Sequence, residues 1–234
     1  MRLVSVLFRG VGTAVVAGVL LVSMVGVSSA ALRLPQIPVL GGTLQGYLNG
    51  VGEAINVNTD QENAQVWQTS VSGNATFTLM IELTGNAAGN NIGVYNAGLA
   101  APPLDLVFPG AAAAQWFATC HFSGGNLVVT LFDQNSIIQG QNFYAGIPAN
   151  NFGFYIQGPG GLYYSEDARN GGIAQVLTYL GTGRNFGDWW ECFEDSAPAV
   201  SDRDFDDAVL LIQSVVPTAV DSNTWGKIKQ LYRK

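Results

Sequence analysis

The chain is poor in the residues on which most site chemistry depends. It has one histidine, His121, and two cysteines in 234 residues, and only 12% of its residues are charged. Zinc centres built from several His or Cys, and Ser-His-Asp triads with a choice of base, are thereby excluded or nearly so. No Gly-Lys-Ser/Thr string is present to cradle a phosphate. No Lys or Arg lies between Arg33 and Arg169, and 10 basic residues face 17 acidic ones for a net charge of −7. Phosphate contacts need Lys and Arg, so a nucleic-acid partner is not expected. What the chain has in quantity is apolar residues (48%) and 29 glycines. The length suits one domain of ordinary core size, with room for an appendage.

The N-terminus has the three parts of an export signal. Arg2 and Arg9 form a positive start, Val11 to Val27 is apolar or small throughout, and Ser28-Ser29-Ala30 offers small residues before a cut at Ala31. The expectation is a signal peptide over 1–30 and a secreted or cell-surface product; the competing reading is a retained anchor, since the apolar stretch is about the minimum that spans a bilayer. After cleavage no other stretch is long and apolar enough to cross one. Pro35 and Pro38 then mark a short exposed leader over 31–54.

From 55 to 217 the chain reads as strands. Turn signals recur along the whole expected mature chain, at Asn49-Gly50, Ser72-Gly73-Asn74, Gly85-Asn86, Ser123-Gly124-Gly125-Asn126, Gly158-Pro159-Gly160-Gly161, Arg169-Asn170-Gly171-Gly172 and Gly181-Thr182-Gly183, with short runs of β-formers between them. Thr76 to Leu83 alternates: Phe77, Leu79, Ile81 and Leu83 on one face, Thr76, Thr78 and Glu82 on the other. Similar runs are Gln115 to Phe122, Asn126 to Phe132, Phe152 to Gln157, Ile173 to Leu180, Asp188 to Glu194 and Phe205 to Val216. The spacing predicts an all-β fold, a two-sheet antiparallel, jelly-roll-like sandwich. Ala111 to Ala114 is the single internal hint of helix.

Cys120 and Cys192 fall on two of the candidate strands. In an exported chain an even count points to a Cys120–Cys192 disulfide, which a loop of this length would make worth about 4–5 kcal/mol; two buried reduced thiols are the alternative. His121, between Cys120 and Phe122, reads as an ordinary strand residue.

The acids carry the functional signal. Asp188, Glu191, Glu194, Asp195, Asp202, Asp204, Asp206 and Asp207 lie in one 20-residue window with a single base, Arg203. Carboxylates this close repel one another unless a cation neutralises them. Ca²⁺ takes six to eight hard oxygens, so Glu194, Asp195, Asp202, Asp204, Asp206 and Asp207 are the candidate ligands. The string from Asp202 begins like an EF-hand loop but fails at its sixth position, Asp207 rather than Gly, and at its twelfth, Gln213 rather than Glu. A Ca²⁺ site between β-strands is the expectation, with Phe205 pointing inward and Asp204 and Asp206 to the ion by strand alternation. A solvated acidic turn is the plain alternative.

The strings Phe152-Gly153-Phe154-Tyr155, Tyr163-Tyr164-Ser165-Glu166-Asp167, Val176-Leu177-Thr178-Tyr179, Asp188-Trp189-Trp190, Phe193-Glu194-Asp195 and Ser201-Asp202-Arg203-Asp204-Phe205-Asp206-Asp207-Ala208-Val209 resemble the bacterial domain of unknown function 4114. Asn91-Ile92-Gly93-Val94-Tyr95 and Val107-Phe108-Pro109-Gly110 extend the resemblance, which runs from about Ile55 to Pro217. It implies an exported domain, often joined to large surface or adhesive proteins, whose recurring acids have been read both as a cation site and as an enzymatic one. Asp206 stands where the family usually has Asn; the oxygen is kept and a charge is added. Many members end in a Pro-Glu-Pro sorting signal. Here a basic tail over 218–234 follows instead, in which Thr224 is placed to cap a short helix bearing Trp225, Ile228, Leu231 and Tyr232.

These features point to a secreted, Ca²⁺-binding, non-catalytic β-domain whose partners are cell-surface, matrix or glycan components. Two alternatives stand beside it. One is an extracellular hydrolase, with Glu166, Glu191 or Glu194 as acid/base groups and Trp189, Trp190, Tyr163 and Tyr164 stacking sugars. The other is a purely structural secreted protein.

Overall fold

The computed structural model describes Arg33, residues 36–70 and residues 73–218. The expected signal peptide and C-terminal helix lie outside these residues. Thirteen strands follow one short helix: α1 (Leu44–Gly50), β1 (Trp67–Thr69), β2 (Asn74–Ile81), β3 (Asn91–Asn96), β4 (Asp105–Phe108), β5 (Phe117–Ser123), β6 (Asn126–Phe132), β7 (Ile138–Ala145), β8 (Phe152–Gly158), β9 (Gly161–Tyr164), β10 (Val176–Leu180), β11 (Trp189–Phe193), β12 (Ala208–Gln213) and β13 (Val215–Pro217). They form two antiparallel sheets. The first has the order β10-β11-β12-β2-β5-β6-β7; the second has the order β13-β1-β8-β3-β4, with β9 paired to β8. The all-β sandwich expected from turn spacing is the fold found.

Period-two alternation fills the space between the sheets. Phe77 and Leu79 of β2, Ala118, Cys120 and Phe122 of β5, and Leu127, Val129 and Leu131 of β6 point inward and meet Phe152, Phe154 and Ile156 of β8. Aromatic edges lock the two layers: Phe77 and Phe154 lie 5.0 Å apart at 76°, and Trp67 and Trp189 lie 5.3 Å apart at 69°. Such pairs contribute beyond their buried area.

Alternation breaks where the chain bulges. The register between β12 and β2 slips at Val209/Leu210, so Ile81 turns to the outer face of its sheet and Leu83 is exposed, contrary to the simple alternation. The predicted Phe205–Val216 strand is two strands, β12 and β13, parted by Ser214 in the left-handed region (φ 61°); the break moves the chain from one sheet to the other. Ala111 to Ala114 is not helical.

The leader corrects a second expectation. Residues 36–57 are part of the folded domain and do not run exposed ahead of it. Leu44 and Leu48, one turn apart on α1, pack with Ile55 and Val57 over Leu177, Tyr179, Trp190, Cys192, Val209 and Leu211. Strands β10 to β12 are therefore buried on both faces, which is why their sequences are apolar almost throughout, Thr178 and Glu191 being the buried polar exceptions.

The proposed disulfide is also corrected. Cys120 and Cys192 are both free and buried. Cys120 faces the space between the sheets, Cys192 faces the leader, and β12 and β2 lie between their strands. Three inter-strand steps of about 4.8 Å separate them by about 14 Å, twice the Cα span a disulfide tolerates. Burial pushes both thiols well above their ordinary pKa, so they act as small hydrophobes.

Candidate metal centre

The acids gather on the connection from β11 to β12. Glu194 and Asp195 follow the end of β11; the chain turns through 197–201 and returns through Asp202 to Asp207 before β12 starts at Ala208. One carboxylate oxygen each from Glu194, Asp202 and Asp204 lies within 4.8 Å of the others. Two oxygens on opposite sides of a Ca²⁺ at 2.3–2.6 Å stand about 4.6–5.2 Å apart, so the spread of these three suits one ion. Beside them opens a cavity of about 290 Å³ lined by Thr84, Ser201, Asp202, Asp204, Asp206 and Asp207, among others.

Backbone conformation decides which carboxylates converge. Arg203 and Phe205 both lie in the left-handed region (φ 57° and 56°), so Phe205 points inward, fully buried against the leader, through loop geometry rather than strand alternation. Glu194 fixes that geometry. Its carboxylate accepts the backbone N–H of Phe205 at 2.8 Å and the hydroxyl of Ser201. The Ser201 oxygen in turn accepts the N–H of Arg203 at 2.9 Å. From the other side, the leader backbone donates from Leu40 to the Arg203 carbonyl. Gly42 (φ 61°) touches the loop so closely that a Cβ there would fall 2.2 Å from Cβ of Asp204. The β8–β9 turn presses in similarly: a Cβ on Gly160 would fall 2.0 Å from the Asp195 carbonyl oxygen.

The other three expected ligands have protein partners. Asp206 accepts the backbone N–H of Thr43 at 2.7 Å and its hydroxyl at 2.6 Å, tying the leader to the loop. Asp195 accepts from Asn86 at 3.1 Å, Asn90 at 2.8 Å and Ser196 at 2.9 Å. Burial works to raise its pKa, but hydrogen bonds from Asn90, Thr84, Ser196 and Asn86 outweigh burial and hold it below the usual range. Asp207 accepts the N–H of Asp195 at 2.8 Å and lines the cavity with one edge. The asparagines escaped sequence reasoning because they lie about 100 residues upstream, where Gly85-Asn86 signals only a turn; Thr43 carries no signal at all.

Burial, and then crowding, raise Glu82, Glu194, Asp204 and Asp207. Burial first, then the charges of Asp195 and Glu194, raise Asp207 to about 7. Burial, with Asp195 and Asp207 nearby, raises Glu82 to about 7. Burial and the neighbouring Asp206 carboxylate raise Asp204 to about 6, and burial raises Glu194. A group of carboxyls that resists ionisation in this way releases electrostatic strain when it takes up a cation.

Of the acids named for the hydrolase alternative, Glu194 lies in this cluster, and Glu191 and Glu166 lie outside it. Glu191 is fully buried between the sheets. Glu166 accepts the Tyr95 hydroxyl and the Arg169 guanidinium. Trp189 and Trp190, expected to stack sugars, are buried on opposite faces of β11. No protein-family model, curated protein or solved structure matches the chain. Among the described residues no helix is long and apolar enough to cross a membrane.

Proposed function

We propose that the protein is a secreted, non-catalytic β-sandwich domain that binds Ca²⁺ and serves in cell-surface, matrix or adhesive interactions. The observation that carries the cation reading is the convergence of Glu194, Asp202 and Asp204 within 4.8 Å. These three would hold the ion, with Asp206, Asp207 and cavity water supplying further oxygens. The ion would supply charge neutralisation, which the raised pKa values of the cluster favour. It would also fasten the loop, and through Asp206 and Gly42 the leader, to the sandwich.

Export rests on the Arg2, Arg9 and Val11–Val27 pattern. A cation-clamped domain suits an extracellular setting, where weak sites fill because Ca²⁺ is abundant. The test is thermal melting in excess Ca²⁺ and in chelator. An ion at 100 times its dissociation constant adds about 2.7 kcal/mol, so wild type should melt several degrees higher with Ca²⁺. Asp202→Asn with Asp204→Asn should remove that difference while changing the melt in chelator little. Identical wild-type curves in the two solutions would refute the reading and leave a solvated acidic loop.

A further inference from the structure

Every sheet edge but one is closed or short among the described residues. The outer edge of β10 is met by the preceding chain, where Glu62 donates its N–H to the Thr178 carbonyl at 2.8 Å and Arg33 reaches the Val176 carbonyl at 3.1 Å. Strand β13 has three residues and ends in Pro217; β4 has four, set between Pro103 and Pro109; β9 has four. These are ordinary defences against edge-to-edge pairing. Strand β7 has none of them. It is eight residues long, without charge or proline, pairs on one side with β6, and leaves Ile138 and Phe143 63% and 65% exposed.

Its sequence is also self-complementary. Gly140 and Asn142 lie opposite Leu131 and Val129, on the inner face of the sheet. Ile138 lies opposite Phe132 across a register shift, and Phe143 lies opposite Val128. The shift therefore puts both large apolar groups on the outer face, on either side of Gln141. We propose that β7 pairs antiparallel with β7 of a second copy about a twofold axis at Gln141. In that register Gly140 meets Asn142 of the other copy on the inner face. Phe143 meets Gln139 of the other copy with Ile138 beside it in the bulge, on the outer face, so the exposed apolar groups are covered across the axis, and the two seven-stranded sheets become one. The interface is isologous, as a closed dimer requires. One strand pair buries on the order of 1,000 Å², the weak end of specific interfaces, so the dimer should dissociate on dilution.

Sedimentation of the full chain in chelator, from about 1 to 200 µM, tests this apart from the cation. A concentration-dependent dimer is expected. Ile138→Lys with Phe143→Lys should weaken it at least tenfold while leaving the melting temperature unchanged, because both residues are exposed. Gln141→Cys should give a disulfide-linked dimer under mild oxidation, whereas Thr119→Cys, two strands inward on the same face, should not. A chain that stays monomeric throughout, a dimer that survives both lysines, or a Gln141→Cys protein that does not cross-link would each overturn the proposal. A monomer whose Gln141→Cys thiol is shielded from reagent would assign the edge instead to a segment of the same chain.

Discussion

Replacing Glu191 by Gln should stabilise the protein, increasingly so as pH rises. Glu191 lies on β11 between Thr178 of β10 and Leu210 of β12. It is fully buried, and neither carboxyl oxygen meets a hydrogen-bond partner in good geometry. Burial raises its pKa well above the ordinary value, and the Trp67 indole and Arg33 charge only partly oppose that rise. The folded protein therefore keeps the proton while the unfolded chain loses it at about pH 4.3. The contribution of Glu191 is complete below that value. As pH rises from there towards the folded pKa, the unfolded state is favoured by about 1.4 kcal/mol per pH unit. Gln fills the same volume and cannot ionise. The difference in unfolding free energy between Glu191→Gln and wild type should then grow with pH above about 4.3, at up to about 1.4 kcal/mol per pH unit, until the folded carboxyl itself ionises. Urea unfolding followed by tryptophan fluorescence, in chelator at each pH, measures it. Parallel pH profiles for the two proteins would refute the claim that a neutral carboxyl is locked between the sheets.

Further outcomes follow from the leader and the thiols. Gly42→Ala forces a side chain into the left-handed region and against Asp204, which should cost about 2–4 kcal/mol; an unchanged melting temperature would show that the leader does not dock there. Phe205→Ala empties a fully buried site between leader and loop and should cost about 3–5 kcal/mol in urea unfolding; a loss below about 1 kcal/mol would contradict its place in that cluster. Cys120 and Cys192 should stay unreactive in the folded protein, and both should label after unfolding without reductant; unlabelled thiols would restore the bridge.

Strands were legible where a single face is buried. The alternation of β2 and β6 and the turns that bound them are local signals, and they lead to the sandwich. The leader was hidden because α1 is short and glycine-flanked, and two leucines one turn apart are too little periodicity to mark a helix. Strand β7 was hidden for the opposite reason: its outer face and edge are open, so Gln139, Gln141 and Asn142 interrupt any apolar pattern. At the acidic loop the clustering of carboxylates was legible in the chain, and their division of labour was not. Arg203 and Phe205 reverse direction through left-handed backbone, which no alternation rule anticipates. Asp195 finds its partners in Asn86 and Asn90, and Asp206 in Thr43, all distant in sequence. The disulfide inference failed because parity of cysteine count says nothing about which face of a sheet each thiol occupies.

The cation claim is tested most directly by calorimetric titration of Ca²⁺ into the chelator-treated protein, wild type beside Asp202→Asn with Asp204→Asn. Saturable binding of one ion per chain to wild type, and at least a tenfold loss of affinity in the double variant, are expected. Absence of saturable heat with wild type, or binding that the two substitutions leave unchanged, would contradict it.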